Sequence, residues 1–172
     1  MAHRDRNPIL TRSTAFLELP DADATLAAGA ALVPELRLGM VVTLSGDLGT
    51  GKTTFVRGCL RKMGWTRSVK SPTYTLVEHY PFSSLYFYHF DFYRFADPGE
   101  WDTAGLADCF RDDSVCMVEW PERVGPLLPS PDLALTFAHH QDAAVPGRGL
   151  TLRAYSQAGE RCRDAIVATQ PC

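Results

Sequence analysis

Eight consecutive residues, Gly46-Asp47-Leu48-Gly49-Thr50-Gly51-Lys52-Thr53, follow the pattern G-x-x-x-x-G-K-[ST]. That spacing suits one kind of chemistry, which is holding phosphate. Gly46, Gly49 and Gly51 let the backbone bend so that successive N–H groups point at phosphate oxygens. A helix opening at the end of the pattern adds roughly half a positive charge at the same place. Lys52 brings a mobile ammonium for β- and γ-phosphates, and Thr53 a hydroxyl for Mg²⁺. The candidate nucleotide contacts are therefore Asp47, Leu48, Gly49, Thr50, Gly51, Lys52, Thr53 and Thr54.

Phosphoryl chemistry also needs carboxylates near the metal. Two apolar, strand-like runs end in an acid: Leu85–Phe90 in Asp91, and Val115–Val118 in Glu119. In a parallel sheet the carboxyl ends of strands gather at the ligand crevice. Asp91 and Glu119 are thus candidate Mg²⁺ ligands, with orientation of the attacking water as the other role for one of them. Lys70-Ser71-Pro72-Thr73 follows the phosphate-binding helix, and its Ser71 and Thr73 hydroxyls are placed to close over a γ-phosphate. Trp120, next to Glu119, either stacks near the nucleotide or packs. His139 and His140 are adjacent on a strand, point opposite ways, and read as surface. No N-K-x-D or T-K-x-D guanine-selecting motif occurs, which favours ATP over GTP. No arginine-dense lid follows the middle strands, which disfavours a nucleotide kinase.

The elements that must carry these residues follow from periodicity. Met40–Leu44 reads as a buried strand entering the glycine-rich loop, and Thr53–Met63 as an amphipathic helix leaving it, stopped by Gly64. Ala15–Leu19 is a short strand, and an alanine-rich helix capped by Asp21 or Asp23 runs to about Leu36. Thr75–Tyr80 and Leu85–Phe90 form a hairpin, Pro98–Ala107 a short helix, and Val115–Val118 a buried strand. Strands at Leu133–Ala138 and Leu150–Tyr155 precede a closing helix at Glu160–Ala168. The pattern predicts an α/β fold of the P-loop NTPase type, three-layered, its sheet mostly parallel with an antiparallel hairpin portion. Residues 1–14 are expected to be a flexible N-terminus and 15–172 a single P-loop ATPase domain.

Composition sets the limits. The chain has 172 residues, enough for one core without metal or disulfide staples, and a net charge of −3. That balance argues against DNA or general nucleic-acid binding. It splits into +5 over residues 47–70 and −7 over residues 91–122, an anion-attracting segment and a metal-suited one. Only three residues are lysine, and Lys52 and Lys70 are two of them. The five cysteines are odd in number and include no CxxC pair, which reads as reduced thiols in a cytoplasm. No stretch is apolar for long enough to span a membrane, and the start lacks a signal-peptide core.

Four segments occur together in order: Gly46–Thr54, Val69-Lys70-Ser71-Pro72-Thr73-Tyr74-Thr75-Leu76-Val77-Glu78, Tyr88-His89-Phe90-Asp91-Phe92-Tyr93-Arg94 and Val118-Glu119-Trp120-Pro121. This set resembles the TsaE (formerly YjeE) ATPases of bacterial tRNA threonylcarbamoyladenosine biosynthesis, closely from about Gly46 to Pro121 and more loosely from Phe16 to Phe137. The resemblance implies an ATPase that acts on a complex of TsaB and TsaD and touches tRNA only indirectly. It implies ATP and Mg²⁺ as cofactors, with Lys52 on the phosphates and Thr53 and Glu119 on the metal. Asp91 takes a metal-shell or water-orienting role, and the Ser-Pro-Thr segment a switch-like one. Thr50 and Phe92 stand where the family usually has Ala and Leu, and the region around Gly99-Glu100-Trp101 departs from the usual paired acids. With no evident arginine finger, hydrolysis is expected to be slow without partners. The alternatives are a small-molecule kinase or a non-catalytic nucleotide-gated binding module on the same fold.

Overall fold

A computed structural model of the chain describes residues 13–140 and 144–170. Seven strands form one sheet in the order β1-β7-β6-β2-β5-β4-β3. They are β1 (Thr14–Leu19), β2 (Val41–Ser45), β3 (Val77–Pro81), β4 (Tyr86–Asp91), β5 (Ser114–Glu119), β6 (Leu133–His139) and β7 (Arg148–Ala154). The central strands β6, β2, β5 and β4 are parallel neighbours. β3 closes one edge antiparallel to β4. β7 is antiparallel to β6, and β1 antiparallel to β7, so five of the seven strands point the same way. The expected antiparallel portion is thus present at both edges rather than in one hairpin.

Burial follows from these directions. β2 and β5 are buried nearly throughout, as central parallel strands covered on both faces should be. Val42, Leu44, Phe87, Val115, Met117, Leu133, Leu135 and Phe137 point to one face. Three helices cover that face: α1 (Ala22–Leu32), α2 (Lys52–Lys62) and α4 (Gln157–Val167). The other face, with Val41, Tyr88, Phe90, Cys116 and Val118, is covered by Phe92, Phe95, Trp101, Leu106 and Val124. These come from loops, from the five-residue α3 (Gly99–Thr103) and from short 3₁₀ turns. The second helical layer is therefore thin.

Several boundaries moved, each for a local reason. The helix expected to reach Leu36 stops at Leu32 and tightens to a 3₁₀ turn, because Pro34 has no N–H to donate. Asp21 is its cap, accepting from the Ala24 N–H at 2.7 Å. The helix expected over 98–107 breaks at Gly105, whose φ of 63° lies in the left-handed region. α4 opens earlier than expected because Ser156 caps it, accepting from the Gly159 N–H at 3.1 Å. Thr14, expected in the loose N-terminus, is the first residue of β1 and pairs with Arg153. The rest of that expectation, residues 1–12, lies outside the described residues.

Candidate nucleotide site

β2 is the middle strand, with β5 on one side and β6 on the other. Its carboxyl end therefore opens at the switch in strand order where α/β folds bind ligands. The loop between β2 and α2 is held open by glycine geometry. Gly46 and Gly51 sit at φ of 133° and 105°. A Cβ at Gly46 would lie 2.3 Å from the Phe137 carbonyl oxygen, and one at Gly51 2.4 Å from Arg148 Nη1. Only glycine fits either position.

Lys52 is buried at the mouth of α2. Its Nζ donates to the carbonyls of Gly46 at 2.5 Å and Asp47 at 2.8 Å, and sits 4.4 Å from the centre of the Trp120 ring. Burial lowers its pKa, and the negative charges of Glu119, Asp91, Glu122 and Asp47 oppose that shift. A phosphate arriving at the loop would offer this ammonium a better partner than two carbonyls. Thr50 is buried and donates its hydroxyl to the Asp47 carbonyl at 2.8 Å. Asp47, Leu48 and Gly49 form the exposed tip, and Thr54, the third residue of α2, is half-buried.

Strand pleat explains how the acids reach this place. Alternate residues of β4 and β5 face α2, so Phe87, His89 and Asp91 share that face with Val115, Met117 and Glu119. Asp91 and Glu119 are direct register neighbours, and both are buried. Glu119 Oε1 accepts from the Thr53 hydroxyl at 2.8 Å and lies 2.8 Å from His89 Nε2. Among the described residues no hydrogen bond reaches its other oxygen, Oε2. Asp91 is more fully engaged. Its Oδ2 accepts from the Ser71 hydroxyl and from Thr73 at 3.0 Å, and its Oδ1 accepts from the Tyr93 N–H at 2.9 Å.

The structure brings Lys52, Thr53, Ser71, Thr73, Asp91, Glu119 and Trp120 to the same end of the sheet, whereas Leu48 and Gly49 stand on the exposed tip of the loop. Ser71 and Thr73 contact each other at 2.7 Å and grip Asp91, which ties the switch-like segment to the end of β4. Trp120 packs against Tyr93, ring centres 5.0 Å apart, and covers Lys52. Trp120 and Leu76 are the two non-glycine residues with positive φ among those described, at 58° and 64°. They follow Glu119 and precede the β3–β4 hairpin, so the unfavourable backbone is concentrated on the two walls of this site.

Two residues to which the sequence reading gave no role are part of it. His89 lies between Phe87 and Asp91 on the inward face of β4, and period-two alternation was the available signal. Arg148, at the start of β7, donates from Nη1 to the Thr50 carbonyl at 2.9 Å and braces the loop from behind. It is 98 residues away, and no local pattern points to it.

One expectation is corrected. The +5 segment does not all face the phosphate loop. α2 is 11 residues long, roughly 16 Å, and Arg61 and Lys62 stand in its last turn. Arg57 donates to the Val69 carbonyl at 3.1 Å, while Arg67 and Lys70 line a groove of about 450 Å³ beyond the helix. Of the six cations in that segment, Lys52 is the one at the loop. His140, read as surface, pairs with Glu18 at 3.1 Å.

The donor set fits Mg²⁺ arriving with a nucleotide. Among the described residues no three His, Cys, Asp or Glu side chains form a metal cage. A magnesium ion carried by phosphates needs only one or two protein oxygens plus water. The Thr53 hydroxyl and the unengaged Oε2 of Glu119 could supply those oxygens, whereas both oxygens of Asp91 already accept hydrogen bonds.

The family described as "Threonylcarbamoyl adenosine biosynthesis protein TsaE" matches residues 19–148. The chain belongs to the TsaE family. A Haemophilus influenzae protein named tRNA threonylcarbamoyladenosine biosynthesis protein TsaE is 44% identical over 127 residues, covering 74% of this chain and 78% of that one. A Bacillus subtilis protein of the same name is 41% identical over 104 residues, 60% of this chain and 65% of its own. The crystal structure of B. subtilis YdiB superposes with a TM-score of 0.72 at 27% identity, covering 93% of this chain and 98% of that one. The matched span contains the phosphate loop, the switch-like segment and both acids, and ends on Arg148. No helix among the described residues is long and apolar enough to cross a membrane.

Proposed function

We propose that this TsaE-family protein is a Mg²⁺-dependent ATPase that serves threonylcarbamoyladenosine formation in tRNA by acting on a TsaB–TsaD complex. One observation carries the reading: the Thr53 hydroxyl at the phosphate loop is joined to the strand-end acid Glu119 at 2.8 Å, although 66 residues separate them. A glycine-rich turn without a nucleotide role has no need of that pairing.

The residues divide the work. The loop N–H groups and Lys52 bind the phosphate tail, and Trp120 shields Lys52 from water. Thr53 and Glu119 would hold Mg²⁺, which when bound neutralises charge on the β- and γ-phosphates. Asp91 is the better placed to orient the attacking water. It is buried beside Glu119 and already governs Ser71 and Thr73, the hydroxyls that would close over the γ-phosphate. Arg148 is committed to the back of the loop, so charge stabilisation at the transition state is left to the partner. Slow turnover by the isolated chain follows from this.

The test is steady-state ADP release by the chain alone, with TsaB and TsaD, and with Mg²⁺ replaced by a chelator. Stimulation by the pair, lost in Lys52→Ala and in chelator, is expected. Equal rates with and without the pair, indifferent to Lys52, would overturn the proposal.

A further inference from the structure

His89 is fully buried, yet it is polar and stands in a strand position where an aromatic or aliphatic residue would pack without cost. Its Nε2 lies 2.8 Å from Glu119 Oε1, and its Nδ1 has no hydrogen-bond partner among the described residues. A buried N–H without an acceptor is rarer than a bare acceptor. A carboxylate only accepts, so in the 2.8 Å contact Nε2 is the donor to Glu119. The same oxygen accepts from Thr53. Two donors thus converge on Oε1, and none among the described residues reaches Oε2.

Without His89, Glu119 would be held by Thr53 alone. Its carboxylate could then rotate and pair with Thr53 through either oxygen, closing the space the metal needs. The histidine removes that freedom from the far side, where no ligand has to enter. It comes from β4 and Glu119 from β5, so the pleat of two parallel strands aligns the pair before any ligand arrives. Because Thr53 is in the first turn of α2, the same contact ties the sheet to the start of the phosphate-binding helix.

We propose that His89 is a positioning residue for the metal. It holds Glu119 so that Oε1 stays with the Thr53 hydroxyl and Oε2 stays turned toward Mg²⁺. The inference rests on the Mg–nucleotide reading above. Removing an outer-shell hydrogen-bond partner of a metal ligand typically costs about 10- to 100-fold in metal affinity.

The experiment measures binding of a non-hydrolysable ATP analogue by calorimetry, in Mg²⁺ and in chelator, for folded variants checked by circular dichroism. His89→Phe keeps a flat ring and removes the donor. It should lose about tenfold or more of the Mg²⁺-dependent gain in affinity while binding in chelator is unchanged. His89→Gln, which returns an N–H donor at similar reach, should restore most of that gain. In a Glu119→Gln background His89→Phe should cost nothing further, since the partner it positions is gone. If His89→Phe does not fold, the smaller His89→Asn, whose amide stops short of Glu119, takes the same comparison. Full Mg²⁺ enhancement in the Phe or Asn variant would overturn the proposal, as would equal weakening in Mg²⁺ and chelator. A wild-type chain whose analogue binding ignores Mg²⁺ would instead overturn the metal–nucleotide reading, and this inference with it.

Discussion

Helices α1 and α2 cross at two glycines, and the crossing sets where the phosphate loop sits. A Cβ on Gly58 of α2 would lie 2.2 Å from the Leu26 carbonyl oxygen of α1. Reciprocally, one on Gly29 would lie 2.1 Å from the Phe55 carbonyl oxygen. A comfortable carbon–oxygen contact is about 3.4 Å, so Gly58→Ala has to separate the helices by roughly 1 Å. The obstacle is backbone inside a helix and cannot swing away. Overpacking costs about 1–3 kcal/mol, and a rigid backbone obstacle this close puts Gly58→Ala at the upper end, about 2–3 kcal/mol. Alanine regains about 1 kcal/mol of helix propensity over glycine, which leaves a net loss of about 1–2 kcal/mol. For a chain of this size that lowers the melting temperature by about 2–8 °C. Function should suffer beyond that. Lys52 and Thr53 open the same helix, and a 1 Å misplacement of catalytic groups costs on the order of 100-fold in rate. The assay is a thermal melt beside partner-stimulated ATP turnover measured well below the melt. Gly99→Ala is the control, since its added Cβ meets only the Asp97 carboxylate at 3.3 Å. A Gly58→Ala protein that melts at or above the wild type would refute the reasoning.

Two further outcomes follow from other contacts. Lys52 sits over Trp120, so ATP binding should draw the ammonium away and change tryptophan emission. Lys52→Ala should abolish that change and weaken ATP binding at least about tenfold, the worth of one charge-assisted hydrogen bond, in a fluorescence titration. Burial raises the pKa of the Cys116 and Cys162 thiols to about 12, and that of the Tyr80 phenol to about 12 as well. In the unfolded chain these groups ionise near pH 9 and 10, so the unfolded state loses protons first. Stability is then fully present below pH 9 and falls as pH rises toward 12. Urea midpoints at successive pH values under reductant should drop above pH 9, and a flat profile would contradict the assignment.

Much of the site was legible before any fold was known. The spacing of Gly46, Gly51, Lys52 and Thr53 is local, and its chemistry depends on backbone bends that glycine alone determines. Asp91 and Glu119 were found because each ends an apolar run, and parallel strands collect their carboxyl ends. Local rules failed where a competing local feature went unweighed. Pro34 shortened α1, Gly105 split the helix after Pro98, and Ser156 opened α4 early.

What the sequence could determine by itself was chemistry carried by neighbours in the chain: a phosphate loop, two strand-end acids and a hydroxyl-bearing segment. Only the tertiary structure decided which of these meet. Charge summed along residues 47–70 pointed to one anion site, but a helix of roughly 16 Å carries Arg61 and Lys62 away from it. The roles of His89, Arg148, Gly29 and Gly58 come from pairings across the sheet or between helices. Such contacts depend on register and packing, and the residues that make them carry no mark of their partners in the local sequence.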